Sequence, residues 1–254
     1  MKKTRVLILG GVTEGYALAE ALAGHSRFHP ISSLAGCTRA PRTPAGETRI
    51  GGFGGIDGLA KFLPEHVIDA VVDATHPFAV TMGQHAALAC ERARVPLLRL
   101  ERPGWEPVTG DRWHPVANWE QAVARLQALG TRRVLLALGV RELAPFSALA
   151  DTWFLLRTVT RPDEMPPFAA AELLVARGPF TLEEELELLR AYRIDALVCR
   201  NSGGEGAVAK LLAARELGVP VIMRERPPRP SLPTVATVAE ALRWLAREAN
   251  QRGP

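Results

Sequence analysis

The sequence predicts an α/β protein built of two similar halves, each a mostly parallel sheet with helices on both faces. Three observations carry this. Short β-branched runs alternate with longer amphipathic ones from residue 5 to residue 100, a stretch rich in Pro, Gly and charge interrupts them at 101–111, and the alternation then restarts. Strands separated by helices in this way mark a three-layer fold whose parallel strands are buried on both faces.

In the first half, residues 5–9 read as a buried strand and 13–23 as a helix stopped by Gly24. The N-terminal apolar run is only Val6-Leu7-Ile8-Leu9 before Gly10-Gly11, shorter than a signal core, so it reads as a strand and not as a leader. A second strand is expected at 30–34, a short third at 48–50, and a short helix at 58–63. A strand at 70–73, a helix at 80–92 and, after Pro96, a strand at 97–100 complete this half.

In the second half, strands are expected at 134–138, 153–159 and 172–175. A helix at 182–191 opens on a capping box formed by Thr181 and Glu184. A strand at 196–199, a helix at 206–217 and a strand at 219–223 follow. Pro227, Pro228, Pro230 and Pro233 then break the pattern before a last helix at 238–249. The domains expected are 1–105 and 112–254. One internal repeat complicates that division. Val116-Ala117-Asn118 leads into 119–129 as Val235-Ala236-Thr237 leads into 238–249, each a short strand, a cap and a helix. Either unit can pack on its own half or cross to the other.

The 254 residues, 47% hydrophobic and 23% charged, are enough for two modest cores and exclude a disordered chain. No uncharged apolar run reaches about 18 residues, so no membrane-spanning helix is expected. Cys37, Cys90 and Cys199 form neither a disulfide framework nor a metal site, as expected of a cytoplasmic protein. Only four of the 31 basic residues are lysines, leaving 31 − 4 = 27 arginines. Codon composition accounts for such a bias, and so does a need for guanidinium forks toward carboxylates or phosphates. The basic residues are scattered among acids and aromatics are only 6%, which argues against a nucleic-acid surface.

The strongest local signal is Leu9-Gly10-Gly11-Val12-Thr13-Glu14-Gly15, a strand running through glycines into a helix. Such a turn aims backbone N–H groups and the helix dipole at a phosphate. An NAD site places an acid about 20 residues further on. Here residues 31–42 contain none, but offer Ser33, Gly36, Thr38, Arg39 and Arg42, which suit the 2′-phosphate of NADPH. Gly51-Gly52-Phe53-Gly54-Gly55 allows either a close backbone-to-ligand approach or simple loop flexibility. Thr75-His76-Pro77 follows a buried strand and opens a helix, where His76 either caps the helix or serves as a proton donor. In the second half Arg200-Asn201-Ser202-Gly203-Gly204 repeats the cradle arrangement ahead of a helix carrying Lys210. Arg157 and Arg226 also fall at strand ends, and together these residues suggest an acidic ligand. No residue spacing suggests a metal site.

Taken in order, Leu9–Gly15, Ser33-Leu34-Ala35-Gly36-Cys37-Thr38, the glycine cluster at 51–55 and Asp73-Ala74-Thr75-His76-Pro77-Phe78-Ala79 form a distinctive set. Leu100-Glu101-Arg102-Pro103-Gly104-Trp105, Arg177-Gly178-Pro179-Phe180, Asn201-Ser202-Gly203-Gly204 and Arg226-Pro227 extend it. The set resembles the precorrin-6A reductase family of cobalamin biosynthesis, cobalt-precorrin-6A reductases included. The resemblance implies two Rossmann-like domains with the active site in the cleft between them. It also implies NAD(P)H-dependent reduction of one double bond of a polycarboxylate tetrapyrrole, with no metal or flavin. Val12, Tyr16 and Cys37 stand where that family commonly has Thr, Arg and Arg, and Arg200 where Lys is expected. The change at Cys37 leaves NADH open beside NADPH unless Arg39 or Arg42 replaces the lost contact. An NADP-dependent reductase of another small acid, or a non-catalytic nucleotide- or tetrapyrrole-binding module, would share many of these features.

Overall fold

A computed structural model describes residues 3–35 and 43–251. They form two compact units, residues 1–103 with 227–254, and residues 104–226. The C-terminal domain expected to run to 254 thus ends at 226, and the last strand and helix belong to the first unit.

The first unit contains β1 (Thr4–Gly10), α1 (Thr13–Ala23), β2 (Phe28–Leu34), β3 (Glu47–Ile50), α2 (Gly55–Glu65), β4 (Ala70–Ala74), α3 (Val80–Ala93) and β5 (Leu97–Leu100). The second contains β6 (Trp113–Val116), α4 (Trp119–Leu129), β7 (Arg133–Leu136), β8 (Trp153–Thr158), β9 (Ala171–Val175), α5 (Leu182–Ala191), β10 (Ala196–Arg200), α6 (Ala209–Glu216) and β11 (Val221–Arg224). The chain then returns to the first unit with β12 (Thr234–Val235) and α7 (Val238–Gln251).

The sheets are ordered β12-β5-β4-β1-β2-β3 and β6-β11-β10-β7-β8-β9, and every strand pair is parallel. Read from the far edge, each is the doubly wound order 3-2-1-4-5-6. The sixth place is filled by exchange. β6 follows β5 in the chain yet pairs with β11, whereas β12 follows β11 and pairs with β5. The repeat at 116–129 and 235–249 is therefore one strand-and-helix unit crossing over in both directions.

Each sheet is buried on both faces, as parallel sheets must be. In the first unit Val6, Ile8, Val72 and Leu98 pack with Leu18 and Leu22 of α1 and Leu245 of α7. Leu7, Leu9 and Val71 pack on the other side with Leu59 and Leu63 of α2 and Ala86 of α3. In the second unit Val134, Phe154 and Val198 meet Trp119 and Leu126 of α4 together with Phe146. Phe146 lies in a 3-10 turn, Ala144–Ala148, which no sequence signal announced and which fills the face covered by α1 in the first unit. The helix expected at 206–217 likewise begins as a separate 3-10 turn, Glu205–Ala207, before α6.

Candidate functional site

The parallel register brings the C-terminal strand ends of the first unit to one line. Leu9 pairs with Ser33 and Asp73, Gly10 with Ala74, and Leu34 with Ile50. The strand order reverses at β1, between β2 and β4, the crevice where doubly wound sheets bind ligands. A cavity of about 380 Å³ lies there, within the range of small-molecule sites. Gly10, Gly11, Val12, Ser33, Gly52, Phe53, Thr75 and His76 all line it. Thr13, Glu14, Gly54 and Pro77 do not, and the Glu14 carboxylate instead takes Arg102 at 2.7 Å. Gly36, Thr38, Arg39 and Arg42 lie outside the described residues.

The helix starts around this cavity are bare of side-chain caps, as is that of α6 behind Val208. The N-caps of α1, α2 and α3 are Val12, Gly54 and Ala79, and none supplies a side-chain cap. By contrast, Asn118 caps α4, Thr181 and Glu184 box α5 as expected, and Thr237 and Glu240 do the same for α7. Backbone donors at a helix start need a partner, and an anion is a favoured one. Among the described residues, added Cβ atoms at Gly51, Gly52, Gly54 and Gly55 would meet nothing within 4 Å, so this loop has room on that side. The Ser32 hydroxyl, buried on β2, has no hydrogen-bond partner among the described residues. A dinucleotide with its phosphates at the β1–α1 turn fits these features. Gly52→Ala is therefore expected to leave stability within about 0.5 kcal/mol of wild type and to raise the dinucleotide KM about tenfold, or about 1.4 kcal/mol. Thermal melting with steady-state kinetics checks this, and an unchanged KM would remove Gly52 from the site.

Sequence reasoning overlooked Arg49. Its guanidinium donates to Ser33 Oγ (2.7 Å) and to the carbonyls of Gly51 (2.9 Å) and Gly52 (3.0 Å), and lies 3.8 Å over the Phe53 ring. It thereby ties the end of β2 to the glycine loop. Its place just before that cluster was the available signal. His76 Nδ1 accepts the Phe78 N–H at 3.3 Å, which puts the ring proton of the neutral form on Nε2.

Behind Thr75 lies a buried charge network. Asp73 Oδ1 accepts from the Thr75 hydroxyl (2.6 Å) and N–H (3.1 Å), while Oδ2 accepts from Arg229 (2.6 Å). Arg229 also donates to Thr75 Oγ1 (3.1 Å) and Glu101 (2.6 Å), and Arg99 stands 3.6 Å from Asp73. Burial, and then the neighbouring Arg229 charge, pushes Arg99 below the ordinary arginine range. The proline-rich segment thus delivers a cation to the floor of the Asp73–Thr75 turn.

The second unit carries a pocket of about 320 Å³ at its own strand ends. Of the residues expected there, Arg157, Arg200, Ser202 and Lys210 line it. Asn201 instead exchanges side-chain hydrogen bonds with the Trp105 backbone, at 2.7 and 2.9 Å. Arg226 braces the 201–204 loop through the carbonyls of Asn201 and Ser202. Gly203 and Gly204 turn that loop with φ of 68° and 77°. The Gly204 carbonyl accepts the Trp105 indole N–H at 2.9 Å. Arg157 is paired with Glu185 at 2.9 Å, and Lys210 lies 4.9 Å from the centre of the Trp105 ring. Desolvation drives the Lys210 ammonium below the ordinary lysine range. It raises the Cys90 and Cys199 thiols to about 12 and about 11, so both are inert.

Among the described residues no group of three or more metal-ligating side chains occurs, and no helix is long and apolar enough to cross a membrane.

Two Rossmann-like units, one with its cavity at the strand-order reversal beside glycine-rich turns, have the form of a nucleotide-binding protein. The chain belongs to the precorrin-6x reductase CbiJ/CobK family, whose model matches residues 5–246. It is 49% identical to precorrin-6A reductase of Rhodococcus erythropolis, covering 95% of this chain and 97% of that one. A solved CobK precorrin-6A reductase, 45% identical, superposes with a TM-score of 0.90 over 96% of this chain and 97% of its own. Cobalt-precorrin-6A reductase of Priestia megaterium is 29% identical over 87% of this chain and 90% of its own.

Proposed function

We propose that this protein reduces one double bond of precorrin-6A in cobalamin biosynthesis, using NADPH. The observation that carries the reading is the first unit's cavity, where three helix starts without side-chain caps meet the glycine-rich turns. When bound, the reduced nicotinamide supplies the hydride. Gly10, Gly11 and Val12 bring backbone N–H groups to the phosphates, and Ser33 stands at the ribose end of β2. Gly52 and Phe53 close one wall, and Thr75 forms another. His76 holds a proton on Nε2 for the carbon that completes the reduction. NADPH is favoured over NADH because no carboxylate follows β2, where NAD sites place one, while the Arg49 guanidinium stands beside Ser33. The higher identity to the precorrin-6A reductase of Rhodococcus erythropolis than to the cobalt-precorrin-6A reductase of Priestia megaterium supports precorrin-6A over its cobalt form.

Arg157, Arg200, Ser202 and Lys210 receive acidic arms of the macrocycle in the second unit's pocket, since guanidinium and ammonium groups are the natural partners of carboxylates. Anaerobic incubation with precorrin-6A or cobalt-precorrin-6A, each with NADPH or NADH, tests the reading by absorbance. No spectral change with either macrocycle overturns it. The same assay with His76→Ala examines the proton donor, and full turnover would end that assignment.

Lys210 gives the reaction a pH dependence. Its folded pKa lies below its unfolded value, so between the two the unfolded chain binds more protons and stability rises with pH. Affinity for a carboxylate falls over the same interval as the ammonium loses charge. The substrate KM of wild type is therefore expected to rise as pH climbs from below the ordinary lysine range toward it, about 10. Lys210→Met should show a higher KM that varies less with pH. An identical KM–pH profile for both proteins would contradict this.

A further inference from the structure

The shared strand order allows the two units to be compared turn by turn. In the first unit β1 passes through Gly10 and Gly11 into a helix with no side-chain cap. In the second, β7 passes through Gly139 into a short 3-10 turn, Val140–Glu142. There the Gly139 N–H donates to Glu142 Oε2 at 3.3 Å, and the Glu142 N–H donates to the Gly139 carbonyl at 2.9 Å. The place that a phosphate takes at the first turn is thus taken at the second by the chain's own carboxylate. That carboxylate also holds two cations, Arg200 through Oε2 at 3.1 Å and Arg224 through Oε1 at 3.3 Å. Arg224 is fixed from behind by the Trp119 ring, 4.7 Å away. Gly139 and Arg200 both line the second unit's pocket.

We propose that Glu142 is a positioning residue that decides what this pocket accepts. As a built-in acceptor it satisfies the Gly139 N–H and occupies the place a diphosphate would need at that turn, so the second Rossmann-like unit takes no dinucleotide. As a double ion-pair partner it holds the Arg200 guanidinium at the pocket wall, where a carboxylate of the substrate meets it. The second half of this inference rests on the tetrapyrrole-reductase reading, and the first does not.

Calorimetric titration of the full chain with NADPH is expected to give one site per chain, whatever the substrate proves to be. Two sites per chain would overturn the first half. Glu142→Gln keeps an acceptor for Gly139 but removes the charge that orients Arg200. It should raise the precorrin-6A KM about tenfold, or about 1.4 kcal/mol, with kcat within about twofold and the NADPH KM unchanged. A purely structural role would lower the melting temperature without separating the two KM values. An unchanged precorrin-6A KM in the folded variant overturns the second half. Should the variant not fold, the wild-type stoichiometry still decides the first, and Arg224→Gln reads the second. That variant leaves Glu142 and Arg200 paired, so a substrate KM shift as large as that expected of Glu142→Gln would contradict the proposal.

Discussion

Replacing Arg229 by methionine is expected to cost about 3–5 kcal/mol of stability, the range for removing one partner of a buried ion pair. Arg229 and Asp73 are almost wholly enclosed, with side-chain exposures of 6% and 0%. Without the guanidinium, the Asp73 carboxylate keeps Thr75 and the more distant Arg99, at 3.6 Å, while Glu101 loses its 2.6 Å partner. Methionine restores much of the volume but none of the charge, so packing alone does not rescue the site. Arg229 also holds the Thr75 hydroxyl, and Thr75 lines the first unit's cavity, the proposed cofactor site. A higher dinucleotide KM should therefore accompany the lower stability. Urea unfolding measures the first effect, and a loss below about 1 kcal/mol would show that the network does not anchor the fold.

Gly10→Ala is expected to have the second large effect. A Cβ at Gly10 would sit 2.3 Å from the Ala74 carbonyl oxygen and 2.9 Å from its carbon. Both neighbours are backbone atoms in a strand that pairs directly with β1, so neither can swing away. The end of β1 must move from β4, at about 3 kcal/mol or somewhat more, the upper range of overpacking. The displaced turn is the one proposed to hold the phosphates, and misplacement by about 1 Å costs on the order of a hundredfold in rate. A Gly10→Ala protein with wild-type kcat/KM would contradict the placement of the cofactor. Gly11→Ala makes a useful contrast, because among the described residues its Cβ meets only the flexible end of Leu34 at 3.7 Å. It should lose cofactor affinity without a comparable loss of stability.

Much of the local structure was legible in the sequence. The helices at 13–23 and 182–191 and the strand at 97–100 have the bounds expected of them. Gly24, the Thr181–Glu184 box and Pro96 are signals read within a few residues of where they act. The glycine turn at Gly10 and Gly11 and the Thr75–His76 segment were visible for the same reason, and both reach the first unit's cavity. Helix 80–93 was likewise legible, but not why Gly83 stands in it: a Cβ there would lie 2.6 Å from Arg229. Asn201 was a reasonable candidate for a ligand contact, yet its amide is committed to Trp105, 96 residues away.

By itself, then, the sequence determined the parallel α/β class, the order of the strands and helices, and the turns that carry the nucleotide signature. Each depends on periodicity or on turn chemistry confined to neighbouring residues. Tertiary structure decided which sheet each repeat unit joins, because β6 and β12 have the same local pattern and only their pairing with β11 and β5 separates them. It also decided that Asp73 is an anchor for Arg229, 156 residues distant, and that Glu142 occupies the second unit's turn. Buried charge is stable only when an opposite charge arrives, and which one arrives is settled by packing rather than by spacing along the chain.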